Sequence, residues 1–128
     1  MKNWSGHIYF EDDFEWKNLE KAFPELWEIV AKETKQNQDE IQYDQLALEL
    51  NMEEISKNKK PIGYIKDGAR FRMVFPTDSA ELIIYKGNLS EDIRDLTEGI
   101  ARVLKTKKIK HSVEYDKMFL YDLRRRKK

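Results

Sequence analysis

Four residues carry the strongest chemical suggestion in this chain: Tyr9, Arg70, Arg72 and Tyr85. Each lies in a stretch where hydrophobic and polar residues alternate, and a strand sends alternate side chains to opposite faces of a sheet. If Trp4, Ile8, Phe10, Phe71, Met73, Phe75, Leu82 and Ile84 pack beneath helices, the other face presents His7, Tyr9, Arg70, Arg72, Val74, Ile83, Tyr85 and, from the last strand, Lys108 and Lys110. Tyrosine rings beside guanidinium groups suit single-stranded nucleic acid. Bases stack on the rings, at roughly 1–3 kcal/mol each, and the cations meet the phosphates. Glu81 shares the face and opposes phosphate. The bland alternative is the wet side of an ordinary antiparallel sheet.

A second cationic group lies downstream. Lys108 and Lys110 lead into the last alternating stretch, beside Lys105 and Lys107, and Arg124, Arg125 and Arg126 open a run of five cations ending at Lys128. Such a run suits a phosphate-contacting arm whose affinity falls steeply with salt. The alternative is a frayed, solubilising end.

Other chemistries find less support. His7 and His111 lie on the first and last predicted strands and suggest acid–base work on RNA, as in a small nuclease using His7. Their parities oppose, with His111 sharing the side of Ile109 and Val113 while His7 faces out. Glu11, Asp12 and Asp13 are adjacent, and neighbours in sequence rarely converge on one ion; they suit a helix N-terminus better. Tyr43 to Met52 has the form of the first helix and turn of a helix-turn-helix, but the second helix would lead with Glu53 and Glu54, which phosphates repel. No phosphate loop, G-x-G-x-x-G, G-x-S-x-G or H-E-x-x-H is present. The absence of cysteine excludes disulfides and thiolate metal sites. The expectation is a protein that is not an enzyme, with no cofactor and no metal.

The elements that would position these residues follow from periodicity. Asn3 to Phe10 reads as a strand and Phe14 to Ala22 as a helix carrying Trp16 and Leu19. Pro24 suits the first turn of a second helix, with Leu26, Trp27, Ile29 and Val30, continuing to about Lys35. Trp16, Phe23 and Trp27, at helical spacing, are expected in the core. A polar loop from Lys35 to Glu40 leads to a short helix, Asp44 to Leu50. Asn51 then forms a capping box with Glu54 and starts another helix ending near Asn58. From Pro61 the pattern is strand-like: 62–66, the Asp67-Gly68 turn, 69–75, the turn 76–79, then 80–86. Asp-Gly between alternating runs is a strong hairpin signal. Asn88 or Ser90 would cap a helix to about Lys105 with Ile93, Leu96, Ile100, Val103 and Leu104 inward. Ile109 to Tyr115 is the last strand, and Met118 to Leu123 is apolar without a clear period.

These elements predict one α+β domain over residues 1–123 and a basic tail at 124–128. Its sheet is small and antiparallel, of about four to five strands, with the meander 62–86 central and helices packed on one face. The order resembles ferredoxin-like folds, half of a TATA-binding-protein-like fold and, loosely, the ThermoDBP-type single-stranded-DNA-binding proteins of archaea. No motif residues match these families, so the resemblance lies in layout and carries no function.

Charge divides the chain. Its 24 basic and 24 acidic residues balance. Residues 1–54, however, hold 14 acidic against 5 basic side chains, and residues 55–128 hold 10 against 19. This split marks an anion-binding end, attraction between the halves, or head-to-tail pairing. Met1 to Phe10 lacks the apolar run of a signal peptide, and no stretch reaches the roughly 18–20 apolar residues of a membrane span. The expected location is therefore cytoplasmic, away from any membrane. Two functional expectations result. One is a non-enzymatic domain binding single-stranded DNA or RNA through Tyr9, Arg70, Arg72, Tyr85 and the C-terminal cations. The other is an interaction or regulatory module, with a protein partner or as a homodimer. It would use Glu11, Asp12, Asp13, Glu15, Glu25 and Glu28 or the aromatic helices.

Overall fold

The computed structural model describes residues 5–33, 38–64, 71–76, 79–86 and 93–115. Strand β1 (Ser5–Phe10) leads through a 3-10 turn (Trp16–Leu19) into helices α1 (Phe23–Glu33) and α2 (Gln38–Ser56). Strands β2 (Phe71–Val74) and β3 (Glu81–Lys86) follow, then helix α3 (Arg94–Thr106) and strand β4 (His111–Tyr115). The chain is thus α+β, with a four-stranded sheet in the order β2-β3-β1-β4. Every neighbouring pair is antiparallel. The expected meander is therefore not central as a unit: β3 is interior, β1 is its inner neighbour, and β2 lies beyond β3.

Register determines the faces. Ile8 pairs with Leu82 and Val113, Gly6 with Ile84 and Tyr115, and Met73 with Ile84. Directly paired residues share a face. This face is the helix side, where Ile8, Leu82, Ile84 and Met73 are fully buried. Helix α3 packs on β1 and β4, and α1 packs on β2, α2 and α3. In α1, Phe23, Leu26, Trp27 and Val30 form the buried stripe, with spacings of three and four residues. In α3 it is Leu96, Thr97, Ile100 and Leu104. Pro24 stands at the second position of α1, where its missing amide costs nothing.

Three local expectations change. The stretch 14–22 forms a short 3-10 turn, not a helix. Phe14 and Trp16 swing back onto the sheet, with Phe14 stacked on Phe10 at 4.1 Å and Trp16 edge-on to Phe75 at 5.7 Å between centroids. That aromatic packing outweighs helical periodicity. Glu11, Asp12 and Asp13 are correspondingly exposed ahead of the turn and cap no helix. Second, the two helices expected either side of Asn51 are one continuous helix, α2, which removes any helix-turn-helix. Asn51 does not cap. Its Nδ2 donates to the Ala47 carbonyl at 2.8 Å and its Oδ1 accepts the Gly63 amide at 2.7 Å. Third, the strand expected over 62–66 is a bridge at Tyr64 among the described residues, where Tyr64 and Met73 exchange both backbone hydrogen bonds. Gly63 before it has φ +104°, a backbone state for which glycine is suited. The Asp67-Gly68 turn lies outside the described residues.

Helix α3 begins after Ile93, which offers no side-chain cap, and Asn88 and Ser90 lie outside the described residues. Both α2 and α3 end on a left-handed residue. Asn58 has φ 59° and Lys108 has φ 63°. Each ending is closed by the amide of the next residue, Lys59 to the Glu54 carbonyl and Ile109 to the Leu104 carbonyl, both at 2.9 Å. Asn58 also accepts the Lys17 amide at 3.0 Å, tying the end of α2 to the 3-10 turn.

Candidate functional site

The face turned away from the helices is set by the same register. Arg72 pairs with Tyr85, and Tyr85 with Ser5; Val74 pairs with Ile83, Ile83 with His7, and His7 with Glu114; Glu81 pairs with Tyr9, and Tyr9 with Ser112. The structure therefore brings Tyr9, Arg72 and Tyr85 onto one face. Each is half-buried. The Arg72 guanidinium lies 6.0 Å from the centroid of the Tyr85 ring, within cation–π reach. Arg72 Nε is buried and meets no acceptor among the described residues.

This face is less open than parity alone implies. Ser5, His7 and Ile83 are only 2%, 2% and 8% exposed. The expectation that His7 faces solvent is corrected: its side is right, but its ring is enclosed and bonded. His7 Nδ1 lies 3.0 Å from Glu81 Oε1, and His7 Nε2 lies 2.9 Å from Ser5 Oγ. With Nδ1–H donating to the carboxylate, Nε2 accepts the serine hydroxyl. Serine, histidine and carboxylate connected in that order resemble a nucleophile–base–orienter chain. The burial of Ser5 and His7 makes the network a way of satisfying polar groups inside the sheet face. His111 takes the other side, opposite Phe10, and its Nδ1 lies 2.8 Å from the Ile109 carbonyl. The two histidines thus occupy opposite faces.

Tyr9 stacks over His7 with its centroid 6.3 Å away and planes 14° apart. Its pKa is pushed up to about 12, first by burial, then by the charges of Glu81 and Glu114 and a hydrogen bond to Glu114. Two carboxylates and one guanidinium are therefore the described acidic and basic charges of this face. Glu81 is partly occupied: Oε1 meets His7, and Oε2 accepts the Ser79 hydroxyl at 3.1 Å.

Lys108 and Lys110 gather elsewhere, at the end of the sheet where β1 leaves and β4 enters. They line a cleft of about 220 Å³ with Glu11, Asp13, Phe14, Asn18, Lys21 and Ile109. The β1–β4 ladder ends at the pair Phe10–His111, and Glu11 and Lys110, the next residues outward, both line this cleft. Arg70, Arg124, Arg125 and Arg126 lie outside the described residues. Across the acidic and basic halves, Lys107 pairs with Glu25 at 3.1 Å on the surface.

Sequence reasoning missed Ser5, Glu114 and Lys21; it placed Glu81 on the right face but did not foresee its bond to His7. The i, i+2 spacing of Ser5 and His7 on one strand was a readable sign of their contact. The reach of Glu81 to His7 depends on the β1–β3 register, for which the sequence holds no local signal. Among the described residues, no three metal-ligating side chains cluster, and no helix is long and apolar enough to cross a membrane. No protein-family model, curated protein or solved structure matches the chain.

Proposed function

We propose that the protein is a non-enzymatic domain that binds single-stranded DNA or RNA across the sheet face turned away from its described helices. The observation that carries this reading is the placement of Tyr9 and Tyr85, partly exposed, on the two central strands, with Arg72 against Tyr85. Tyr85 stands opposite Ser5, and Tyr9 is four residues further along β1, about 13 Å at roughly 3.3 Å per residue. Two rings so spaced suit two separate bases, as four-stranded sheets elsewhere stack bases on aromatic side chains. Lys108 and Lys110 continue the path beyond Tyr9 with positive charge. A ferredoxin-like fold is the finer reading of the architecture. Its support is the order β4-β1-β3-β2, with one helical crossover from β1 to β2 and another from β3 to β4. Fluorescence anisotropy with labelled DNA and RNA strands at two salt concentrations tests the proposal. Saturable binding that weakens with salt supports it, and no binding of either strand at low salt refutes it.

A protein-binding reading has its own observation. Leu46, Leu50 and Ile62 are 55%, 47% and 57% exposed. Leu46 and Leu50 lie one turn apart on α2. Asn51, next to Leu50, holds the backbone of Gly63, next to Ile62. Three apolar side chains so placed, two of them on the acidic half, favour self-association or a protein partner. Light scattering at low and high salt separates the readings, since a dimer that persists at high salt favours this second one.

A further inference from the structure

We infer that the cleft between the end of β1 and the start of β4 is a site for a phosphate monoester whose attached group carries hydroxyl or amino donors. Lys21, Lys108 and Lys110 line it together with Glu11 and Asp13. Among the described residues none of these five charged side chains takes part in an ion pair. Opposite charges that share a small cleft without closing on one another leave room for a ligand with both kinds of group. The ammonium groups take a phosphate dianion, and the carboxylates accept hydroxyl or amino hydrogens from what the phosphate is attached to. Phe14 and Ile109 supply an apolar wall. The volume, about 220 Å³, is below the ~300–1,000 Å³ of pockets for drug-sized ligands, which suits a sugar phosphate, with a base attached to that sugar lying outside the cleft.

Lys108, which lines the cleft, occupies the left-handed position that ends α3, with φ 63°, as Asn58 does after α2. Glycine is the usual residue there, so Lys108→Gly removes the ammonium group without straining the backbone.

The phosphate could belong to a free small molecule or to the end of a nucleic-acid strand, and the test separates them. Adenosine 5′-monophosphate, adenosine, and a short oligothymidylate with and without a 5′-phosphate are titrated into the 15N-labelled full chain, following backbone amide shifts. Expected are saturable shifts at residues 11–14 and 108–110 with the monophosphate and none with adenosine. Lys108→Gly is expected to weaken that binding about fivefold without lowering the melting temperature. A preference for the phosphorylated oligothymidylate assigns the site to strand ends. Equal binding of the two oligothymidylates, with the monophosphate still bound, assigns it to free phosphate esters. Equal shifts with adenosine and its monophosphate, silent cleft amides, or unchanged affinity in Lys108→Gly each overturn the inference. Oligothymidylate binding that moves sheet-face amides, with the cleft amides silent to the monophosphate as well, overturns it while leaving the sheet-face proposal intact.

Discussion

Asn51 holds the backbone of Gly63 on both sides: its Oδ1 accepts the Gly63 amide at 2.7 Å and its Nδ2 approaches the Gly63 carbonyl at 3.4 Å. Asn51 is 1% exposed, so the amide it satisfies has no access to water. This clasp joins α2 to the segment that bridges onto β2 through Tyr64. Above it, the buried Tyr64 hydroxyl donates to Asp44 at 2.9 Å, a second link to the same helix.

Asn51→Ala is therefore expected to cost about 2–3 kcal/mol, because a buried N–H is left without an acceptor. Asn51→Asp keeps an acceptor for Gly63 but buries a carboxylate whose second oxygen faces the Ala47 and Gly63 carbonyls, so a loss at least as large is expected. Urea unfolding followed by tryptophan fluorescence measures both. An Asn51→Ala protein as stable as the parent would show that the clasp contributes little.

Gly6 makes room for α3. A β-carbon there would fall 2.6 Å from Thr97 Cγ2 and closer still to Thr97 Oγ1. Gly6→Ala is expected to destabilise by about 3 kcal/mol, at the upper end for overpacking. Thr97→Ala should recover part of the loss. It removes those two atoms but leaves Thr97 Cβ at 2.8 Å. Thermal melts of the two single variants and the double variant test this, and strictly additive losses would contradict it.

What the sequence disclosed and what it hid divide along a physical line. Alternation placed Ile8, Phe10, Met73, Leu82 and Ile84 inside and put Tyr9, Arg72 and Tyr85 on a common face, because period two is a local property of the chain. Pro24 marked the start of α1 for an equally local reason. Asn51 misled because a residue suited to capping also serves to clasp a distant loop, and only tertiary contact decides between them. The burial of His7 escaped notice because Ser5 and Glu81 meet it from two strands. The cleft joins residues 11–21 to 108–110, a distance in sequence that no local pattern spans.

Tyr9 gives the fold a dependence on alkaline pH. In the unfolded chain its phenol ionises near 10.0, whereas in the folded protein it holds its proton to about 12. Its contribution to stability is complete below pH 10. Above that the unfolded state sheds a proton the folded state retains, and the contribution disappears as pH rises toward 12. Difference absorbance between the parent and Tyr9→Phe should show one phenol titrating near pH 12. Because burial is the first cause and the charges of Glu81 and Glu114 come after it, Glu114→Gln should lower that midpoint only in part. A Tyr9 midpoint at the ordinary value of 10.0 would refute the packing of this ring.

The sheet face makes quantitative demands on nucleic-acid binding. Tyr9→Ala and Tyr85→Ala are each expected to weaken binding by roughly 1–3 kcal/mol, and Phe at either position should retain most of it, since stacking uses the ring. Arg72→Ala removes one phosphate contact. The slope of log affinity against log salt should then fall by about 0.7, the amount for one neutralised phosphate on a single strand. Glu81→Gln removes an opposing charge while leaving an oxygen able to accept from His7, so tighter binding at low salt is expected. Anisotropy titrations over a range of salt read all four effects on one scale. If Arg72→Ala leaves the slope unchanged while the tyrosine variants lose affinity, the strand stacks on the sheet and its phosphates are held elsewhere.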